Sequence, residues 1–431
     1  MTEKKYHLET LALHAGQEPD QTTLSRGVPI YRTSSYLFRN TEHAANLFAL
    51  KELGNIYTRL MNPTQNILEL RVAALEGGVA GLALASGTSA IFYSIINLCK
   101  AGDEIVSANN LYGGTYTMFD TILPQFDITT KFVPHDKPEE FEKAITDKTR
   151  ALYFETIGNP VLGVADIEMI AKIAQKHHLP LIVDSTFSTP ALLKPIDYGA
   201  NIVVHSLTKW LGGHGAGIGG IVVDAGNFDW TDPKYSLYNE PDPGYHGIRY
   251  AHDLGEELNP LAFILRMRLV PLRNLGACIS PDNAWMFLQG IETLPLRMER
   301  HCENALTVAE FLKGHPNVGW VRYPGLPDDP SYAMARKYLP RGCGGMVVFG
   351  IKGGYDAAVR CIDSIELFSH LANVGDAKSL ILHPASTSHG QLSEEQQAAS
   401  GLAPDLIRLS IGLEHIDDII AALDEALTKA C

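Results

Sequence analysis

The chain has 431 residues, of which 35 are basic and 49 acidic, so its formal net charge is −14. This balance excludes sequence-independent nucleic-acid binding and a polybasic membrane anchor, because both need a positively charged surface. Hydrophobic residues make up 45% and charged residues 19% of the chain. That composition excludes a disordered chain, and the small number of charges favours an oligomer that buries additional surface.

Six cysteines are present, and none has C-x-x-C spacing. We therefore expect free thiols, no metal site and a cytoplasmic location. The first residues lack the apolar core of a signal peptide. The uncharged stretch 77–99 is long enough to span a bilayer, but its glycines and hydroxyl residues predict a strand, a turn and a helix, and no membrane partner.

Residues 1–60 are predicted to form an N-terminal arm, because the first 55 residues are irregular and have no clear core face. From 61 to 280, short apolar strands alternate with helices, which predicts an α/β domain with a mostly parallel seven-stranded sheet. The expected elements are helix 66–76, strand 82–85, helix 89–100, strand 104–108, helix 112–124, strand 130–133, helix 138–146, strand 150–154, helix 166–177, and strands 180–183, 201–204 and 219–223.

Residues 226–280 do not continue this alternation of strands and helices. Long segments of this kind are usually functional or interface elements. Helical patterns resume over 281–314, and strands are expected near 318–322, 346–350 and 406–411. Residues 281–431 are therefore predicted to form a smaller α+β C-terminal domain, with a hinge near 275–290.

Polar groups follow the predicted strands of the first domain. In an open α/β sheet, ligands bind at the carboxyl ends of the strands, so these groups should meet at one rim. They are Ser86, Gly87, Thr88, Tyr112, Asn159, Asp184, Ser206, Thr208 and Lys209. A helix N-terminus binds phosphate, and a carboxylate near a lysine suits a ligand with a basic ring nitrogen and an aldehyde. Pyridoxal phosphate has all three groups.

Structural interpretations of the same residues stay open at this point. Lys209 is a surface lysine in the simplest interpretation, Ser86 an N-cap and Asp184 a turn residue. Tyr112 then only packs, and Arg408, in the apolar stretch 406–411, forms a structural salt bridge.

Several motifs nevertheless resemble the Cys/Met-metabolism family of pyridoxal-phosphate enzymes, in order and over most of the chain. They are YTRLMNPT at 57–64, SGTSA at 86–90, VDSTFSTP at 183–190, HSLTK at 205–209, HPASTSH at 383–389 and RLSIGLE at 408–414. The resemblance implies pyridoxal-phosphate fold type I, with an aspartate-aminotransferase-like large domain.

The resemblance also implies a role for each site residue. Lys209 would bind the cofactor aldehyde and carry protons, with Tyr112 and Tyr57 as further catalytic groups. Asp184 would pair with the ring nitrogen, and Tyr112 would stack on the cofactor ring. Tyr57 and Arg59 would reach the phosphate of a neighbouring subunit. The remaining cofactor-binding residues would be Ser86, Gly87, Thr88, Asn159, Ser206 and Thr208. The substrate carboxylate would be held by Arg408, Ser379 and Asn159.

Within the family, the long segment 226–270 and the stretch NVGDAKSL at 373–380 resemble the branch that acts on O-acetylhomoserine with sulfide or a thiol. That branch implies a homotetramer built from two active dimers. The alternatives are cystathionine γ-synthase or γ-lyase activity, O-acetylserine sulfhydrylase activity and, more distantly, a non-catalytic cofactor-binding protein.

Overall fold

The computed structural model describes residues 6–387 and 402–431. Within these residues the larger sheet has seven strands in the order β1-β7-β6-β5-β4-β2-β3, and β7 is antiparallel to both of its neighbours. The other pairs are parallel, so the prediction of a mostly parallel sheet is confirmed. The strands are β1 Ala80–Leu84, β2 Glu104–Ala108, β3 Thr129–Val133, β4 Thr149–Glu155, β5 Leu181–Asp184, β6 Ile202–Ser206 and β7 Gly220–Asp224.

Helices cover both faces of this sheet. The helices up to β6 are α1 Leu8–His14, α2 Thr41–Phe48, α3 Pro63–Glu76, α4 Gly87–Ile96, α5 Gly113–Thr117, α6 Pro138–Ala144, α7 Ile167–Lys176 and α8 Thr189–Leu192. The Asn62 side chain caps α3 by accepting the Thr64 N–H at 2.9 Å, and Pro63 fits the first helical turn. The predicted helix 112–124 is only partly α-helical, because α5 continues as π and 3₁₀ turns to Phe126.

The first 55 residues are less irregular than expected, since they contain α1 and α2. Helix α1 buries Leu8 and Ala12 against the larger core. Farther along the arm, large apolar side chains face outward: Leu24 is 77%, Leu37 99% and Leu53 68% exposed. The arm therefore leaves apolar surface uncovered within one chain.

The segment 226–280 contains more helix than its sequence suggests. It forms α9 Ser236–Asn239, α10 Gly255–Leu258, α11 Ala262–Met267 and α12 Arg273–Leu275, and a π turn around Pro271 joins the last two. Buried aromatic rings hold the segment on the larger core, and Trp230 stacks on Tyr238 at 4.5 Å. The buried Arg266 donates to the carbonyl and amide oxygens of Asn97.

The smaller sheet has the order β10-β11-β12-β9-β8 and is antiparallel except for the β10–β11 pair. The described elements after residue 280 are α13 Pro281–Glu292, α14 Leu294–Gly314, β8 Val318–Arg322, α15 Tyr332–Tyr338, β9 Met346–Ile351, α16 Gly354–Ser364, β10 Ser369–His370, β11 Leu380–Leu382, β12 Leu406–Ser410 and α17 Ile416–Ala430. Helix α14 joins the two cores, because Met298 packs in the larger one and Leu312 in the smaller one. The domain boundary at 280/281 stays a prediction.

The uncharged stretch 77–99 forms β1 and α4, as expected. Across the described ranges, no helix is long and apolar enough to cross a membrane. All six cysteines are free thiols.

Candidate active site

A cavity of about 290 Å³ opens at the carboxyl ends of the larger sheet. Ten of the predicted site residues line it: Ser86, Gly87, Thr88, Tyr112, Asn159, Asp184, Ser206, Thr208, Lys209 and Arg408. Strand direction explains this convergence, because β1, β4, β5 and β6 all end at this rim. The other walls come from Ile91, Glu155, Ile157, Thr186, Phe187, Ile218, Ala372, Asn373 and Val374.

One wall is the N-terminus of α4. The Ser86 hydroxyl caps the helix by accepting the Ser89 N–H at 3.0 Å. The N–H groups of Gly87 and Thr88 lie in the first turn, where a helix has no carbonyl to receive them. Ser206 packs so closely that a Cβ on Gly87 would lie 2.7 Å from the Ser206 Cβ. The turn thus forms a tight anion-binding cradle that also carries hydroxyl groups.

Lys209 lies in the turn after β6, and the Gly213 N–H donates to the Lys209 carbonyl at 2.7 Å. Its amine donates a hydrogen bond to Asn373 Oδ1. Burial, with a smaller effect from the positive charge of Arg408, lowers the pKa of Lys209 to about 8. A lysine with this pKa is partly neutral near physiological pH, so it is able to act as a nucleophile or a base.

Two buried carboxyl groups face each other across β4 and β5, because Glu155 pairs in register with Asp184. Asp184 accepts the Thr186 N–H at 2.9 Å. Burial raises the pKa of both carboxyl groups, and the charge of Asp184 raises that of Glu155 further. A cationic ligand group in the cavity would relieve this unfavourable burial of negative charge.

Arg408 reaches the cavity from β12 of the smaller sheet. It is 6% exposed, and its Nη1 donates to Asn159 Oδ1 at 3.2 Å. Burial lowers its pKa to about 10. Among the described residues, no carboxylate lies within ion-pair distance of it, so the structural salt bridge is not seen there. A buried guanidinium of this kind is suited to an anionic ligand.

Tyr112 precedes α5, and its ring bends back over the backbone, since a Cβ on Gly114 would lie 2.5 Å from the ring. The side chain is 49% exposed, so the interpretation of Tyr112 as a packed core residue does not hold within one chain.

Three predicted site residues do not line this cavity. Tyr57 is 41% exposed. The guanidinium carbon of Arg59 lies over the Tyr57 ring, 5.2 Å from the ring centre. Ser379 is fully buried, and its hydroxyl donates to Glu414 at 2.9 Å while it accepts the Gly412 N–H. Its hydroxyl is therefore already engaged by the protein. Of the 383–389 motif, Ser388 and His389 lie outside the described residues.

Sequence reasoning missed Glu155 and Asn373. Glu155 directly follows the predicted strand 150–154 and is the last residue of β4 in the structure. Asp184 has the same position after the predicted strand 180–183, so the rule that selected Asp184 would also have found Glu155. Asn373 belongs to the quoted stretch 373–380, but its contact with Lys209 depends on how the smaller sheet packs on the rim. The segment 226–270 contributes no described residue to the cavity wall.

Comparison with known proteins agrees with this geometry. The profile of the Cys/Met metabolism PLP-dependent enzyme family matches residues 9–428. The chain belongs to this family. An O-acetyl-L-homoserine sulfhydrylase from Leptospira meyeri is 55% identical over 98% of this chain and 97% of its own length. A homocysteine synthase from Schizosaccharomyces pombe is 50% identical over 98% of this chain and 99% of its own length.

A solved structure from the same family shows the same fold. It is a Campylobacter jejuni protein assigned as an O-acetylhomoserine (thiol)-lyase, and it carries N′-pyridoxyl-lysine-5′-monophosphate. Its TM-score is 0.95 at 42% identity, and the match covers 98% of this chain and all of that chain. The predicted family, fold type I and pyridoxal phosphate as the cofactor are thereby confirmed.

The residues around the cavity fit this cofactor. The cradle at α4 offers backbone N–H and hydroxyl donors of the kind that a phosphate needs. Asp184 offers a buried carboxylate to a protonated ring nitrogen, and Lys209 offers an amine with a lowered pKa to an aldehyde. All three groups line one cavity, so the donor set matches the three functional groups of pyridoxal phosphate.

Proposed function

We propose that this enzyme replaces the γ-acetoxy group of O-acetyl-L-homoserine with sulfide, giving L-homocysteine and acetate. The observation that carries the proposal is the placement of Arg408 and Lys209 on the wall of one small cavity, in a chain 55% identical to a sulfhydrylase for this substrate. The first group suits an amino-acid carboxylate, and the second suits proton transfer at the neighbouring carbon.

In this proposal the chain's residues divide into three groups. Ser86, Gly87, Thr88, Ser206 and Thr208 hold the cofactor phosphate. Asp184 keeps the ring nitrogen protonated, and Lys209 binds the aldehyde. When bound, the cofactor supplies an electron-accepting ring that stabilises negative charge at the substrate Cα.

Lys209 moves the protons. With its amine free, Lys209 would take a proton from the substrate Cα and then a second proton from Cβ. Acetate leaves Cγ with the bonding electron pair, sulfide forms the new bond at the same carbon, and the protons return. Acetate is a stable anion at neutral pH, so its departure needs little acid catalysis. Tyr112 and Tyr57 are the proposed groups next to the reacting atoms.

The substrate carboxylate is assigned to Arg408, with Asn159 beside it. The Nη1 donation to Asn159 Oδ1 fixes the guanidinium plane, which favours two parallel hydrogen bonds to a carboxylate. Ser379 is assigned to the same proposed subsite. Its hydroxyl accepts the Gly412 N–H and so holds the backbone at Gly412 in place. The apolar walls at Ile91, Phe187 and Val374 limit water around the reacting groups.

We further propose a homotetramer of two active dimers in the cytoplasm. Tyr57 and Arg59 are exposed and lie outside the cavity of their own chain, which is consistent with a contribution to a neighbouring site. The outward apolar side chains of the arm, Leu24, Leu37 and Leu53, are typical of a subunit contact. Free cysteines agree with a reducing compartment.

A substrate panel tests the proposal. The purified enzyme is given O-acetyl-, O-succinyl- or O-phosphohomoserine, O-acetylserine or cystathionine, each with and without sulfide, and thiol products are quantified by mass spectrometry. We expect homocysteine from O-acetylhomoserine only with sulfide present. Cysteine from O-acetylserine as the main product, or cleavage of cystathionine without sulfide, would replace the proposal by one of the alternatives. A spectral response to amino acids without turnover would indicate a binding protein.

A further inference from the structure

Glu155 is a buried carboxyl group in the cavity wall for which the proposed reaction has no role. It is 7% exposed, and its Oε1 accepts the backbone N–H of Tyr112 at 2.7 Å. The backbone N–H of Asn159 also stabilises its negative form, against the effects of burial and of Asp184. Burying a second carboxyl next to Asp184 is costly, so its presence in the cavity wall calls for a function.

Tyr112 is held mainly at its backbone. Its ring is half exposed, so packing does not fix it. Its carbonyl accepts the N–H groups of Thr115 and Tyr116 and begins α5. Its own N–H donates to Glu155, and the ring occupies the space that a Cβ on Gly114 would need. The direction of the ring therefore depends on the position of residue 112 itself.

We propose that Glu155 is a positioning residue that fixes the Tyr112 ring over the cavity by accepting the Tyr112 backbone N–H. The inference rests on the proposed contact between Tyr112 and the cofactor ring. The inference requires of Glu155 only an oxygen that accepts the hydrogen bond, and not a negative charge. One oxygen in a fixed position suffices for that bond.

A double-mutant cycle tests this assignment. Full-length enzymes carrying Glu155→Leu, Tyr112→Ala or both are loaded with pyridoxal phosphate, and the dissociation constant of the cofactor is measured by absorbance and equilibrium dialysis. Each single change is expected to weaken cofactor binding about tenfold, the effect of losing one strong hydrogen bond or one stacked ring. The double variant is expected to bind within about twofold of Tyr112→Ala, because both changes remove the same contact.

Two variants separate the acceptor from other effects. Glu155→Gln keeps an acceptor oxygen and is expected to bind the cofactor within about threefold of the parent. Asp224→Leu removes another buried carboxyl, at the opposite end of the sheet, where it accepts the Gly226 N–H. This control is expected to change thermal stability but not cofactor affinity. If Glu155→Leu does not fold, the unbranched Glu155→Met takes its place in the cycle.

Additive losses in the double variant would overturn the role of Glu155, as would a glutamine variant as weak as the leucine variant. Unchanged affinity in Tyr112→Ala would overturn the cofactor contact of Tyr112 and this inference with it. Neither result depends on which sulfur substrate the enzyme uses. Failure of this inference is therefore distinguishable from failure of the proposed reaction, which the substrate panel detects.

Discussion

Replacing Arg408 by leucine separates a substrate-binding arginine from a structural one. If Arg408 grips a carboxylate through two charge-assisted hydrogen bonds of about 1.5–3 kcal/mol each, its loss removes about 3–6 kcal/mol of binding. That corresponds to a decrease of about 10²–10⁴ in kcat/KM. The decrease should fall mainly on KM, because the carboxylate is bound alike in the ground state and the transition state.

Although Arg408→Leu should lose substrate binding, it should not lose thermal stability. Arg408 is buried, burial lowers its pKa to about 10, and no carboxylate pairs with it within the described ranges. Leucine removes an unfavourable buried charge, so thermal unfolding of Arg408→Leu should occur at the same temperature as in the parent or higher. Lysine at this position is the matched control, which keeps the charge but not the planar fork.

The assays are steady-state kinetics with O-acetylhomoserine and sulfide, and calorimetric unfolding. A structural ion pair predicts a different result, since breaking one costs about 3–5 kcal/mol of stability. A strongly destabilised leucine variant with an unchanged KM would therefore refute the assignment of Arg408 to the substrate.

Two further predictions concern the cofactor. Asp184→Asn should lower kcat by at least about 10² while leaving the unfolding temperature nearly unchanged, because the amide fills the same space but does not hold a ring proton; near-normal turnover would reduce Asp184 to a turn residue. Inactive Arg59→Ala and Lys209→Ala enzymes, mixed under conditions in which subunits exchange, should regain activity, since one site of each mixed dimer then has both groups intact. Verified exchange without recovery would place Arg59 in the site of its own chain.

The larger sheet was predictable from the sequence because its strands are short Val- and Ile-rich runs separated by regular helices. Most strand ends fell within two residues of the expected positions, and that precision was enough to bring Ser86, Asp184 and Lys209 to one rim. Glu155 lies directly after a predicted strand, as Asp184 does, so the sequence already placed it at the same rim although the prediction did not name it.

Other features depended on tertiary packing. The sequence does not indicate the helical run from Ala262 to Leu275, because Pro271 and buried arginines such as Arg266 are not expected inside a buried helix. The partners of Arg266 lie far away in the chain. Asn373 contacts Lys209 from the loop between β10 and β11, 164 residues later in the chain. Local patterns predict elements and their ends, whereas contacts between the two sheets follow from how those elements pack.

The most direct test of the account is to identify the lysine that binds the cofactor. Native enzyme is reduced with borohydride, digested, and analysed by mass spectrometry, with a second sample first saturated with O-acetylhomoserine. The account predicts a phosphopyridoxyl group on the peptide that contains Lys209 in the first sample, and protection of that lysine in the second. A label on another lysine, or equal labelling with and without substrate, would contradict the central assignment.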